Sequence, residues 1–152
     1  MTLDTAMQNL IANFPLGFVA SVTPDGAPAV SPKGTFLVLD STTVAFADIR
    51  SPGTRRNLAA NPRVEVNFID PFARKAVRLS GQANIHRKES DWFAGMHPRW
   101  IDAFGNLADR ASALIEIRIG TASMIWTPPY DDGATEDAMI AHYKTRFAKV
   151  YP

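Results

Sequence analysis

No cysteine occurs anywhere in the 152-residue chain. That excludes disulfide frameworks, thiolate-bound zinc, cysteine-ligated iron-sulfur clusters and a thiol nucleophile, and it fits a reducing compartment. Histidine is scarce as well. His86, His97 and His142 are far apart and never fall at HxxxH or HxH spacing, so no metal centre is expected. The patterns GxxxxGK[ST], GxGxxG and GxSxG are all missing, which removes the basis for an ATPase, a Rossmann protein or a serine hydrolase. Every apolar run falls short of the roughly 18 residues that suggest a membrane span. The opening MTLDTAMQNLIANFP carries no Lys or Arg ahead of its apolar stretch, unlike a secretory leader. These absences predict a cytoplasmic protein with no membrane partner.

A large charge of one sign is also lacking, since the net charge is +1. The distribution is uneven, however. Residues 50–99 hold ten basic and four acidic side chains, and the remainder holds six basic and eleven acidic. The middle third is therefore suited to an anion, either a phosphate on a small cofactor or a nucleic-acid backbone.

What is present is an ordinary globular composition, 46% hydrophobic and 20% charged. A compact chain of this size removes roughly 70% of its unfolded surface from water, enough for a core without a metal or a disulfide. No repeat, low-complexity tract or linker interrupts it, so residues 1–152 read as a single domain.

Met7, Leu10, Ile11 and Phe14 fall at helical spacing, with Asp4 as N-cap and Pro15 as stop. Strands follow at 16–23, at 27–39 after the Pro24-Asp25-Gly26 turn, and at 43–48. Pro28 and Pro32 exclude a regular central strand for the second of these and suggest an edge or a bulge. Val64, Val66 and Phe68 alternate with polar residues in a fourth strand. A fifth places Val77, Leu79, Gly81, Ala83 and Ile85 on one face, and Ile115, Ile117 and Ile119 mark a sixth that can run on through Ala122 to Trp126. Residues 88–106 read as two short aromatic helices split by Pro98 and closing one barrel end. Glu136 and Asp137 early, with Lys144, Arg146 and Lys149 late, mark a terminal helix. Six strands in meander order predict a mainly β, α+β fold: an antiparallel barrel or roll with peripheral helices.

Two segments can carry chemistry. In Asp48-Ile49-Arg50-Ser51-Pro52-Gly53-Thr54-Arg55-Arg56-Asn57, Ser51 can cap a helix, Pro52 suits its first position, and Gly53 lets backbone approach a ligand. Free N–H groups at a helix start, with paired arginines and hydroxyls, form a phosphate cradle; the same residues would also serve as a capped helix with solvated arginines. In Val30-Ser31-Pro32-Lys33-Gly34, a strand broken by proline presents a hydroxyl and an ammonium. It would suit the edge of a flat heteroaromatic ring, or simply a surface bulge with a snorkelling lysine. The polar face of the fifth strand, Arg78, Ser80, Gln82 and Asn84, carries no aromatic residue, so no nucleic-acid surface is expected.

In the order LGFVASVTPDGAPAVSPKG, then SPGTRRNLAANPRVEVNF, then VRLSGQANI, the chain resembles the pyridoxamine 5'-phosphate oxidase-like FMN-binding split barrels. The resemblance implies a six-stranded split barrel that binds FMN. It sets Lys33, Ser51, Thr54, Arg55 and Arg56 near the phosphate, with Gly53 at the helix start, and Val30, Ser31, Pro32 and Asp48 near the ring or ribityl chain. It further implies a homodimer with cofactor sites at the interface, to which Trp126 or the 88–106 insertion would contribute from the second subunit. Gly53 and Thr54 stand where the oxidase has an Arg-Lys pair, and its C-terminal pyridoxal-phosphate elements have no counterpart here. The expected function is therefore a flavin reductase or oxidase acting on an unidentified small molecule. The alternative is a flavin or deazaflavin binding protein without turnover.

Overall fold

The computed structural model describes residues 2–152. Helix α1 (Thr5–Asn13) starts where the sequence predicts, with the Met7 N–H donating to the Asp4 carboxylate at 2.8 Å. Its buried face, Met7, Leu10 and Ile11, joins the core of the sheet.

The sheet has seven antiparallel strands, not six: β1 (Gly17–Val22), β2 (Pro28–Lys33), β3 (Phe36–Asp40), β4 (Thr43–Asp48), β5 (Arg63–Asp70), β6 (Lys75–Arg87) and β7 (Ala113–Trp126). Their spatial order is β2-β1-β5-β6-β7-β4-β3. The additional strand comes from segment 27–39, which forms two strands on opposite edges of the sheet. Pro28 and Pro32 keep β2 at an edge, because each lacks the N–H that a second ladder would require. Thr35 pins the crossing between the two edges. Its hydroxyl accepts the Ala47 N–H at 3.0 Å, and its carbonyl accepts the Trp100 indole N–H at 2.9 Å.

Side chains close the barrel where hydrogen bonds do not. Phe36 on the β3 edge meets Phe68 of β5 edge to face at 4.7 Å, although the two strands are far apart in the sheet order. A Cβ at Gly17 would stand 2.5 Å from the Phe36 ring, so glycine is needed for that approach. Val19, Phe46, Val66, Leu79, Ile115 and Ile117 complete the fully buried interior. A bulge places one extra residue, Gly120, in β7 opposite the Ser80–Gly81 step of β6, and a Cβ at Gly81 would lie 2.1 Å from the Arg118 carbonyl.

The 88–106 insertion differs from expectation. It forms one helix, α3 (Asp91–Phe104), with Pro98 inside it, and covers a wall of the barrel. Phe93 and Trp100 are buried against Ala45, Ala47 and Leu114, forming a second core. Burial of these large rings outweighs the roughly 3 kcal/mol that an internal proline costs a helix. Helix α2 (Pro52–Ala60) packs on β1 and β6, and α4 (Glu136–Val150) follows the short turn at Pro128–Tyr130. In α4, Phe147 meets Phe72 at 5.3 Å, Tyr143 lies 3.8 Å beneath the Arg74 guanidinium, and Glu136 pairs with Lys75 at 2.9 Å. Among the described residues, no helix is long and apolar enough to cross a membrane.

Candidate functional site

Strand alternation decides which residues of the SPKG segment can work together. Ala29, Ser31 and Lys33 are half-buried, while Pro28, Val30 and Pro32 are exposed on the other face of β2. Lys33 donates to the Ser31 hydroxyl at 2.8 Å. Burial lowers the pKa of the Lys33 ammonium, and the negative charge of Asp48 opposes that shift.

Facing this strand is the start of α2. Its bonding begins with the Arg55 N–H, which donates to the Ser51 carbonyl at 2.9 Å, and the Ser51 side chain makes no capping bond to the amides ahead of it. Between the two walls lies a cleft of ≈ 390 Å³ that takes in Ser31, Lys33, Ser51, Gly53, Thr54 and Arg56, with Val30 at its margin. Ser51 and Thr54 are themselves buried, so their positions are set by packing. Asn57 anchors the helix to the barrel by donating to the Ser21 hydroxyl at 3.1 Å in a buried contact. Among the described residues, no carboxylate lines the cleft.

The remaining predicted site residues lie elsewhere. Arg55 does not line this cleft; its guanidinium is 3.4 Å from the buried Asp48 carboxylate and donates to Ser112 at 2.9 Å. Pro32 points to the outer face of β2. Trp126 ends β7 opposite Lys75, whereas the cleft-side end of that strand pairs Ala113 with Asp48, so in a single chain the tryptophan is remote from the cleft. Sequence reasoning left Arg50, Thr23 and Ala29 out of the site, although all three line it. The period of two along β2 would have found Ala29, and Arg50 stood in the segment already under suspicion.

One further polar cluster lies outside this cleft. His86 of β6 is 2.8 Å from the nearly buried Glu116 carboxylate and stacks on Trp92 of α3 at 3.9 Å. Burial alone would raise the Glu116 pKa, but hydrogen bonds from His86 and Asn84 and the charge of Arg118 outweigh it and hold it below the usual value.

Comparison with solved structures gives the same architecture. An FMN-binding protein from Syntrophomonas wolfei superposes with a TM-score of 0.66 at 12% identity, covering 82% of this chain and 86% of that one. HutZ, the heme storage protein from Vibrio cholerae, gives 0.65 at 21% identity over 83% and 95%. An F420 reductase gives 0.62 at 26% identity over 80% and 98%. No curated protein matches the sequence significantly. The pyridoxamine 5'-phosphate oxidase family matches residues 3–126, and the chain belongs to that family.

Proposed function

We propose that the protein is an FMN-binding oxidoreductase, a flavin reductase or oxidase acting on a small molecule still to be identified. The observation that carries this reading is the Lys33–Ser31 pair on one wall of a cleft whose other wall is the uncapped start of α2 with Arg56. A phosphate monoester there would meet an ammonium, hydroxyls, amide N–H groups and a guanidinium, while the Asp48 carboxylate that acts on Lys33 is paired with Arg55. Lys33, Ser51, Gly53, Thr54 and Arg56 are assigned to the phosphate, and the β2 segment Val30, Ser31 and Pro32 to the ring or ribityl chain. Asp48 and Arg55 act one step removed, since their ion pair braces the strand-to-helix junction. FMN, when bound, supplies the electron-accepting ring. The chain binds and orients it.

A homodimer is part of the proposal. Phe18, Val30, Ile69 and Ile125 share the outer face of the sheet and are all more than a third exposed. Apolar side chains gathered on one exposed sheet face favour burial against a second copy. Trp126, remote from the cleft of its own chain, is assigned to the cleft of the other.

The F420 reductase neighbour favours one alternative, a deazaflavin in the same cleft. Heme has less support, because none of the three histidines lines it. The test is the visible spectrum of the purified protein before and after FMN addition, with the released cofactor identified by mass and nicotinamide-cofactor oxidation followed at steady state. A yellow protein that releases FMN and turns over supports the proposal. A released deazaflavin supports the alternative, FMN binding without turnover makes the protein a flavin carrier, and failure to bind either removes both.

A further inference from the structure

A second cleft adjoins the first and shares Arg50 and Arg56 with it. It is larger, ≈ 710 Å³, and adds Arg55 and Arg87 to those two. The four arginines come from the β4–α2 link, from α2 and from the end of β6, so the chain gathers them from separate segments. The one carboxylate in the lining is already engaged. Asp48 is paired with Arg55 at 3.4 Å, and Ser112 accepts from the same guanidinium at 2.9 Å. These contacts orient Arg55, and among the described residues Arg50, Arg56 and Arg87 have no acidic partner within ion-pair distance. Guanidinium groups recognise phosphate by paired N–H donors; with Arg56 assigned to the first cleft, Arg50 and Arg87 remain uncompensated, and two such groups suit an anion carrying two negative charges.

FMN has one phosphate, and the Lys33 cleft accounts for it. We propose that the second cleft is an anion site of its own, which takes the phosphate or diphosphate group of the small-molecule substrate while the cofactor occupies the first. The inference rests on the flavin reading for the identity of that neighbour, and the cluster of arginines stands independently of it.

The test is calorimetric titration of FMN-loaded protein with inorganic pyrophosphate at low ionic strength. Pyrophosphate should bind without releasing FMN. Arg87→Gln should weaken it about tenfold or more, the loss expected for a charge-assisted contact, and leave FMN affinity within about twofold because Arg87 lies outside the first cleft. Lys33→Met should do the reverse. Displacement of FMN one for one would show the two clefts to be a single site and overturn the proposal. So would absence of pyrophosphate binding, or binding indifferent to Arg87→Gln. If the protein binds no FMN, the flavin reading falls separately, and the same titration of ligand-free protein and its Arg87→Gln variant still decides the second cleft.

Discussion

β2 and β4 are each six residues long and both antiparallel, yet every residue of β4 is buried and none of β2 is. β4 runs between β3 and β7, with the barrel interior against Val44 and Phe46 and α3 against Ala45 and Ala47. β2 has one neighbouring strand, two prolines and half-solvated faces. A strand paired on both edges and packed on both faces offers a ligand site only its terminal Asp48, which is already paired with Arg55. A strand at a sheet edge offers an ammonium and a hydroxyl half-withdrawn from water. The molecule keeps its rigidity and its binding groups in different strands of one sheet.

Truncation in β4 should break this contrast most severely. Phe46→Ala removes a fully buried ring that packs on Phe36 at 5.0 Å, and the expected loss is about 3–5 kcal/mol in denaturant unfolding. An unchanged midpoint would mean that β4 is not where stability resides. On the β2 side, Lys33→Met should cost FMN binding about 1.5–3 kcal/mol and leave the unfolding of ligand-free protein nearly unchanged. Equal losses in both measurements would erase the distinction between the strands.

Trp100→Phe sharpens the comparison from the β4 side. It retains an aromatic ring but deletes the indole N–H donated to the Thr35 carbonyl, leaving a buried acceptor without that donor at a cost of about 1–3 kcal/mol. Retention of full thermal stability would show that the crossing between β2 and β3 needs no such anchor. A smaller effect is expected in acid. The lowered Glu116 pKa contributes stability that is complete above its ordinary value of 4.5 and is lost as pH falls through the lower folded value. The stability gap between wild type and Glu116→Gln should accordingly narrow on acidification, and a gap that widens would reverse the assignment. Smallest of all, Val30→Ala on the outer face of β2 should change monomer stability by no more than about 0.5 kcal/mol. Its effect should instead be on self-association, measured by sedimentation.

Local chemistry was legible where one short segment contains the whole cause. The Asp4 cap, the alternation of Val77, Leu79 and Ala83, and the proline-limited edge character of 28–32 each depend on neighbours in sequence, and each is found in the structure. What could not be read depends on residues far away. The division of 27–39 is set by pairing with β1 at one end of the sheet order and with β4 near the other. Continuity of α3 through Pro98 depends on Ala45, Ala47 and Leu114, which bury its rings. Arg55 and Arg56 look equivalent as a pair, but adjacent residues on a helix point about 100° apart. One consequently reaches Asp48 and Ser112 while the other lines the Lys33 cleft.

The amino-acid order by itself determined the element types, the absence of thiol chemistry, the basic middle third and the capacity of residues 48–57 and 30–34 for an anion. These follow from side-chain chemistry and backbone period, which act over a few residues. Tertiary structure alone decided that Lys33 and Arg56 face one cleft, that Arg55 and Arg87 face another, and that Phe36 closes the barrel against Phe68. The physical reason is that a cleft is a relation between separate segments. Its geometry is set by strand pairing and by which face of each helix is buried, and neither is specified until the whole chain has packed.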